Sequence, residues 1–301
     1  MRLLVTGAGG MVGSHVARIA ADKGHEVHGV FRRVPGRTAP GITAHVADLL
    51  DRDTAGDLLR RVEPTHLVHA AWETGHGSYW SSLDNLDWVE ATARLARAFA
   101  ETGGRRFVQV GTCAEYEWSH GRCVENETPE RPSTRYGMAK LAAFKAVEAA
   151  ALGAFEAAEA RIFFAYGPGE NPQRLIAYIC RSHAAGDVPQ LSSGSQLRDL
   201  LHVEDTASAI LAVAGADRLT GPVNIGGGKP VMLADAATRL AAIAGGRDPG
   251  LGLRPDRLDD PRLLVPDVTR LLDTGWRPAI DLDEGLLQTY RWWVAGAASG
   301  S

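Results

Sequence analysis

A short apolar run, followed at once by a glycine-rich turn and a helical pattern, is the feature that most constrains the fold. The run at residues 3–6 ends at glycine and is typical of a buried strand, and residues 14–22 carry helical periodicity up to Gly24. Glycine permits a tight turn and lets backbone N–H groups approach a phosphate, which the helix N-terminus also attracts. The turn is therefore predicted to bind a dinucleotide. The predicted contacts are Gly7, Gly10, Met11, Val12 and Gly13.

The following residues alternate apolar runs with helical patterns, as in an α/β protein. Strands are predicted at 25–31, 42–46, 66–71 and 106–110, with one long helix at 79–100. Right-handed crossovers between parallel strands make this a doubly wound Rossmann sheet.

The C-terminal part is predicted to form a smaller, interleaved substrate lobe. A chain of 301 residues has room for two lobes. We predict a dinucleotide-binding domain at 1–165 and a mostly substrate-binding lobe at 166–301. Segments 161–164 and 223–225 are expected to return to the main sheet. Further helices are expected at 173–185, 234–244 and 283–294, a short element at 267–272, and a hairpin-like excursion at 188–195.

Composition excludes several classes of protein. The net charge is -4 and no long basic block occurs, so neither nucleic acid nor a membrane surface is an expected partner. Cys113, Cys123 and Cys180 make neither a disulfide framework nor a metal-ligand cluster, which fits a reducing cytoplasm and predicts no metal. The N-terminus lacks a signal-peptide layout, and no apolar run approaches the length of a bilayer span.

The end of the second strand bears on the choice of cofactor. In an NAD site an acidic residue near this point holds the ribose 2′-hydroxyl. Here Phe31 is followed by Arg32 and Arg33, and two guanidinium groups suit a 2′-phosphate. NADP(H) is favoured and NAD(H) stays possible, because the alternative is a pair of solvated arginines.

Tyr136 and Lys140 are spaced to share one helix face, one turn apart. An ammonium beside a phenol favours the phenolate, so such a tyrosine can exchange a proton with a hydroxyl or ketone near neutral pH. Taken alone, the pair fits a surface helix equally well. Thr112 follows the strand at 106–110, at the sheet end where ligands bind in open parallel sheets.

With these features the sequence resembles the extended short-chain dehydrogenase/reductase family of nucleotide-sugar epimerases, dehydratases and ketoreductases. The resemblance spans nearly the whole chain. Its motifs are the turn at 6–13, Asp48-Leu49, His69-Ala70-Ala71, Tyr136 to Lys140, Tyr166-Gly167-Pro168, the run at 198–205 and Asn224-Ile225-Gly226.

The resemblance implies roles for the central residues. Tyr136 would be the acid/base at the reacting sugar carbon, and Lys140 would bind the nicotinamide ribose and lower the pKa of the tyrosine. Thr112 would hydrogen-bond the same substrate oxygen. Asp48 and Leu49 would contact the adenine of the cofactor. Ala70 and Ala71 would lie below its nicotinamide ribose.

Three further residues are candidates on the substrate side. Arg198 resembles the arginine that grips a substrate diphosphate, the alternative being an ion pair with Asp199 or Glu204. Asn85 resembles an asparagine that supports the active site, or else belongs to a polar helix face. Trp72, together with Tyr79 and Trp80, would line the sugar pocket or pack in the core.

The sequence also departs from the family. The 4,6-dehydratases carry Asp and Glu directly after the catalytic Thr, where this chain has Cys113 and Ala114, so that dehydration chemistry is not expected. Glu115 is displaced by one position and would point to the opposite face of an extended segment. Cys113 is predicted to be a small buried thiol, and a role in proton transfer stays open. Phe164 replaces a common asparagine, which puts one substrate contact in doubt.

Three functions remain open from the sequence. The first is NADP-dependent reduction of the keto group of a nucleotide-activated 4-keto-deoxysugar. The second is a nucleotide-sugar 4-epimerase with retained NAD(H), and the third is a non-catalytic dinucleotide sensor on the same fold. The resemblance also implies a homodimer, formed through the helix at 79–100 and the helix that carries Tyr136.

Overall fold

A seven-stranded parallel sheet organises the protein. The computed structural model describes residues 1–36, 38–75 and 77–299. The strands of this sheet are β1 (Arg2–Thr6), β2 (Glu26–Phe31), β3 (Ile42–Val46), β4 (His66–His69), β5 (Arg106–Thr112), β7 (Glu156–Ile162) and β11 (Gly221–Ile225). Their spatial order is β11-β7-β5-β4-β1-β2-β3. The order reverses between β1 and β4, which places a ligand crevice at their carboxyl ends.

Helices cover both faces of the sheet because the central strands β1, β4 and β5 are buried on both sides. α1 (Met11–Asp22) and α6 (Val203–Gly215) pack on one face, and α2 (Thr54–Val62), α3 (Asp84–Glu101) and α4 (Arg135–Ala151) pack on the other. The two buried cores contain Val16 and Ile210 on the first face, and Leu95 and Phe144 on the second. The predicted α/β fold with a doubly wound Rossmann sheet is confirmed.

The glycine turn has the backbone geometry that its sequence predicts. Gly7 has φ +68°, and a Cβ there would lie 2.8 Å from the amide nitrogen of Ala71. A Cβ on Gly13 would collide with the Gly7 carbonyl oxygen. Glycine is therefore required at both positions, and it brings the turn against the end of β4.

The chain leaves the main sheet at Phe163. Residues 161–164 do not form one strand as predicted, because β7 ends at Ile162 and β8 (Phe164–Tyr166) pairs instead with β10 (Leu200–His202). A second small sheet contains β12 (Val231–Met232), β9 (Leu197–Arg198), β13 (Leu263–Pro266) and β6 (Arg122–Cys123). These short strands connect the C-terminal part of the chain to the segment after β5.

Three helices give the C-terminal part a core of its own. α5 (Leu175–Ala185), α7 (Leu233–Ile243) and α9 (Leu282–Ser299) enclose a cluster that includes Ile179, Leu240 and Leu286. A last short helix, α8 (Thr269–Leu272), lies beside β11. The division into functional regions at residue 165 stays a prediction.

Three other predicted elements differ from the structure. α3 begins at Asp84 and not at residue 79, since residues 77–81 form turns. The predicted hairpin at 188–195 is irregular backbone without strand pairing, and β4 is two residues shorter than predicted. Among the described residues, no helix is long and apolar enough to cross a bilayer.

Candidate active site

A cavity of about 440 Å³ lies at the carboxyl ends of β1, β4 and β5, and we call it the glycine-turn cavity. It brings together residues from segments that are far apart along the chain. Its lining includes most of the predicted site residues, namely Gly7, Gly10, Met11, Val12, Gly13, Arg32, Asp48, Leu49, Ala70, Ala71, Trp72, Thr112, Tyr136 and Lys140.

Tyr136 lies at the inner end of this cavity, near the start of α4. Its side chain is 8% exposed and sits among three aromatic rings. The ring of Tyr79 is 4.8 Å away centre to centre, and those of Trp80 and Trp72 are at 5.6 and 6.4 Å, all edge to face. The side chains of Tyr136 and Thr112 form a hydrogen bond. The phenol is thus held in one orientation toward the end of β5.

Burial raises the pKa of the Tyr136 phenol well above its usual value, and the charges of Tyr79 and Glu115 add to this. The hydrogen bond with Thr112 and the charge of Arg174 act in the opposite direction. The predicted lowering of this pKa by Lys140 is therefore not what the structure shows. The protonated phenol is the stable form, which suits a proton donor.

Lys140 lies one turn after Tyr136, and its ammonium is buried. Nζ donates to the Val110 carbonyl oxygen at 2.9 Å and lies 3.9 Å from the centre of a Trp72 ring. Burial lowers the Lys140 pKa to about 8, against the opposing charges of Glu115 and Glu159. Lys140 thus remains largely charged near neutral pH and lines the cavity beside the phenol.

Asn85 lies outside the residues that line the glycine-turn cavity, so it is placed to support the site from behind its wall. Its amide donates to the carbonyl oxygens of Tyr79 at 2.7 Å and Ser82 at 2.9 Å, and its Oδ1 accepts from Trp72 Nε1 at 2.9 Å. Both ends of this buried amide are used within the protein. Asn85 therefore fixes the turn before α3 and the Trp72 indole, and acts on the site through them.

The residues after Thr112 supply no carboxylate to the cavity. Cys113 packs with Tyr116, Phe163 and Leu264, and burial raises its pKa to about 12, so the thiol stays protonated. Ala114 packs against the ring of Tyr136. Glu115 is fully buried, lies outside the residues that line the cavity, and accepts from the Thr112 backbone N–H. The prediction assumed an extended segment, but residues 113–115 form a 3-10 turn.

A second cavity, of about 560 Å³, adjoins the first, and we call it the α5 cavity because the start of that helix forms one wall. Tyr79 and Trp80 line it together with Glu170 and Arg174. Arg174 lines both cavities, and its guanidinium hydrogen-bonds the Tyr79 side chain. Sequence reasoning missed Arg174; its place just ahead of a helix, after Tyr166-Gly167-Pro168, was the available signal.

Arg198 lines the α5 cavity but is already paired. Its guanidinium donates to Asp260 Oδ1 at 2.6 Å and to the Pro261 carbonyl oxygen at 2.8 Å, and it stacks on Phe164 at 5.3 Å. Arg198 forms an ion pair, as the alternative prediction has it, but the partner is Asp260 and neither Asp199 nor Glu204. Asp199 accepts instead from two glycine amides, and Glu204 pairs with Arg18. The predicted grip on a diphosphate stays a prediction.

The two arginines after β2 have different positions. Arg32 lines the glycine-turn cavity and makes an exposed ion pair with Glu73, Nη1 to Oε2 at 3.5 Å. Arg33 is exposed and lies outside the set of residues that line this cavity. Only Arg32 is placed to reach a group bound there.

The glycine-turn cavity fits a nicotinamide dinucleotide. Gly7 and Gly13 are positions where a Cβ would close the turn, and such a cradle suits a pyrophosphate. Asp48 and Leu49 form the wall at one end, and Tyr136 and Lys140 line the other. A third cavity, of about 1340 Å³, lies at the amino ends of β5, β7 and β11, away from these groups.

Comparison with known proteins agrees with this reading of the site. A family model described as the NAD dependent epimerase/dehydratase family matches residues 3–226. The chain belongs to this family. The predicted resemblance to extended short-chain dehydrogenase/reductases is confirmed, and the protein is an NAD(P)-dependent enzyme of that type.

Individual members of the epimerase/dehydratase family cover much of the chain. A dTDP-6-deoxy-L-talose 4-dehydrogenase (NAD(P)(+)) of Kitasatospora kifunensis is 33% identical over 75% of this chain and 74% of its own length. A UDP-glucose 4-epimerase of Mycolicibacterium smegmatis is 28% identical over 96% of this chain and 97% of its own. Among solved structures, MoeE5 in complex with UDP-glucose and NAD has a TM-score of 0.85 at 28% identity, covering 99% of both chains.

Proposed function

We propose that this protein uses NADPH to reduce the keto group of a nucleotide-activated 4-keto-deoxysugar. One observation supports the proposal: among the described residues, the inner end of the cavity is lined by the phenol of Tyr136 and by no carboxylate. Moving a proton to and from the oxygen of a carbonyl needs one such group. Dehydration of the ring needs a further acid and base, and Cys113 and Ala114 supply neither.

Each of the central residues would have its own role in the reduction. Thr112 and Tyr136 would hold the keto oxygen through hydrogen bonds, and Tyr136 would give its proton to that oxygen as it becomes an alkoxide. Lys140 would hold the nicotinamide ribose through its buried ammonium group, which lines the same end of the cavity. When bound, the cofactor supplies the hydride. The aromatic rings around Tyr136 exclude water from the reacting end.

The relative from Kitasatospora kifunensis supports redox chemistry at C4. It is named for oxidation at position 4 of a nucleotide-linked 6-deoxysugar, and it is 33% identical to this chain. Its name includes both NAD and NADP, so it leaves the choice of cofactor open. The other relatives are named for reactions on nucleotide sugars as well, which supports this substrate class.

Arg32 supports NADP over NAD. Its pair with Glu73 is solvent-exposed on both sides, and such pairs contribute at most about 1 kcal/mol. A 2′-phosphate with two negative charges would compete for the guanidinium with strong hydrogen bonds. NAD stays the alternative, because Glu73 is close enough to repel a phosphate if it keeps its own position.

The test mixes the pure protein and NADPH with each of a panel of nucleotide 4-keto-deoxysugars. Consumption of NADPH is measured as the loss of its absorbance. We expect turnover with at least one of them. We expect Tyr136→Phe to lower kcat by a factor of about 10² to 10⁴, because only the proton donor is removed. Tyr290→Phe makes the same change outside both cavities and should keep full activity. No consumption with any 4-keto sugar would overturn the proposal.

A 4-epimerase is the second candidate, supported by the relative from Mycolicibacterium smegmatis, which matches nearly the whole chain. The same Thr112, Tyr136 and Lys140 would serve it. An epimerase keeps its cofactor through a cycle, so denaturing the purified protein should release about one NAD per chain. A reductase should release little and depend on added NADPH. Family membership and the assembled site speak against a purely sensing role.

A further inference from the structure

A buried cluster of charges lies directly behind the reacting groups, on the side away from the cavity. Arg161 on β7 is fully buried, and its Nε donates to Glu115 Oε2 and to Glu159 Oε2, both at 2.9 Å. Its Nη2 donates to Glu130 Oε1 at 2.6 Å. Three carboxyl groups thus surround one guanidinium. The reaction described above uses none of them.

The cluster is joined to both catalytic elements by hydrogen bonds. Glu115 Oε1 accepts from the backbone N–H of Thr112 at 2.7 Å, which fixes the end of β5. Gln109 donates from one amide nitrogen to Glu159 Oε1 at 3.0 Å and to the carbonyl oxygen of Lys140 at 3.1 Å. Moving the cluster would therefore move Thr112 and the first turns of α4.

The cluster also carries a fixed charge. Burial and the neighbouring charge of Glu115 raise the pKa of Glu159 well above its ordinary value, and the charge of Arg161 acts in the opposite direction. Glu115 uses both carboxyl oxygens, since Oε1 accepts from the Thr112 amide and Oε2 accepts from Arg161. Within this cluster, Glu115 is therefore the carboxyl group bonded directly to the end of β5.

We propose that Glu115 is a positioning residue for the reduction proposed above: it fixes Thr112 through the backbone and holds Lys140 in its charged form from behind. The inference rests on that proposed function for its kinetic consequence only. The charge of Glu115 opposes the loss of the Lys140 proton that burial favours. Without it, Lys140 would lose its proton at lower pH.

Other groups face Glu115 from each element packed against it. They are Arg161 and Glu159 on β7, Tyr136 and Lys140 on α4, Cys113 and Tyr116 in its own 3-10 turn, and Glu130 across Arg161. Cys113 and Tyr116 stay neutral because burial raises the pKa of each. Among these described groups, Glu115 combines a direct bond to the Thr112 amide with a charge that acts on Lys140.

The experiment compares Glu115→Gln with Glu148→Gln, which removes a carboxylate from the outer surface of α4. In protein labelled with ¹³C-lysine, the Lys140 signal is assigned with Lys140→Arg, and its titration midpoint is measured by NMR. We expect Glu115→Gln to lower the midpoint by about one pH unit and Glu148→Gln to leave it in place. An unchanged midpoint in folded Glu115→Gln would overturn the proposal, whether or not the protein reduces any sugar.

The kinetic arm uses a 4-keto substrate that the wild type accepts. Since both reacting groups work protonated, activity falls at high pH, and Glu115→Gln should move that fall to lower pH. A lower kcat at every pH, with the fall unmoved, would indicate a purely structural role and overturn the electrostatic part. If the wild type turns over no substrate, the proposed function fails and the NMR result still stands.

Glu115→Asp tests the positioning part independently, including the case where Glu115→Gln fails to fold. Aspartate keeps the charge but is too short to bond the Thr112 amide and Arg161 together. We expect kcat to fall about tenfold to hundredfold with the Lys140 midpoint and the NADPH Kd near wild type. A wild-type kcat in this variant would overturn the positioning role.

Discussion

At the residue scale, Tyr136 and Arg174 supply different chemical groups to the reacting end of the site. The phenol is buried and neutral, whereas Arg174 lines both cavities and reaches Tyr79, whose ring touches that of Tyr136. A guanidinium at such a junction suits a negatively charged part of the substrate. In a nucleotide sugar that part is the diphosphate, or a carboxylate on the sugar.

We predict that Arg174→Gln weakens substrate binding more than catalysis. A hydrogen bond to a charged group contributes about 1.5–3 kcal/mol, so KM should rise about tenfold to hundredfold while kcat changes little. Steady-state kinetics with the accepted 4-keto substrate measures both. Arg181→Gln, in the helix α5 that follows Arg174, is the control, since Arg181 lies outside the linings of both cavities. A fall in kcat alone would assign Arg174 to the chemical step and contradict this prediction.

Arg32 and Arg33 offer a matched pair for the choice of cofactor. Arg32 lines the glycine-turn cavity and Arg33 does not. We predict that Arg32→Gln raises the Kd for NADPH at least about tenfold and leaves that for NADH nearly unchanged, because only NADPH carries the 2′-phosphate. Arg33→Gln should alter neither. Calorimetry of the four protein–cofactor pairs decides this, and equal losses for NADH and NADPH would count against a 2′-phosphate contact.

At the element scale, the segment between β4 and α3 shows a structure that sequence patterns do not predict. Tyr79 and Trp80 fit the period of the following helix, yet they lie in a turn fixed by Asn85. Helical periodicity cannot distinguish these arrangements, because the deciding contact is a side-chain amide reaching back to carbonyl oxygens. The turn has a further role, since the Tyr136 amide donates to the Trp80 carbonyl oxygen at 3.2 Å.

The glycine turn was predictable and the contacts of Arg198 were not, for a physical reason. Gly7 and Gly13 are required by backbone geometry within one strand, turn and helix, so the local sequence contains the information. Arg198 pairs with Asp260, sixty-two residues further along the chain. Glu115, which follows β5, accepts a hydrogen bond from Arg161 on the neighbouring strand β7. Such partners are brought together by the sheet and the small strands around it, which no local pattern describes.

Glu170, in the loop before α5, gives this element a pH-dependent stability. Burial raises its pKa from 4.5 to about 7, partly offset by the charge of Arg174. Its carboxyl group is therefore protonated in the folded state at pH values where the unfolded chain is ionised. Folding then loses stability as the pH rises from 4.5 through 7, by about 2–3 kcal/mol.

We predict that Glu170→Gln is more stable than wild type at pH 8 and about equal to it at pH 4, because the amide stays neutral. Thermal unfolding at both pH values measures this, and exposed Glu63→Gln is the control. A difference from wild type of the same size at both pH values would show that the effect does not come from ionisation.

At the scale of the whole molecule, α3 and α4 pack side by side and leave apolar side chains in solvent. Leu83, Leu86 and Met138 are all exposed there. We predict that two copies cover this surface with each other, forming the homodimer that the family resemblance implies. Light scattering should give a dimer for wild type and a monomer for Leu86→Glu/Met138→Glu. Leu258→Glu, at an exposed site elsewhere, should stay dimeric, and a monomeric wild type at micromolar concentration would remove the prediction.

The separate core around α5, α7 and α9 has a consequence for how the molecule opens. A Cβ on Gly285 would collide with the Tyr166 hydroxyl, so α9 lies directly on β8 at the first strand outside the main sheet. Residues that share a core tend to unfold locally as one unit. Amide exchange should therefore report two local unfolding reactions, with the cofactor slowing exchange in β1 and α1, and the sugar nucleotide slowing it in α5 and α9 together.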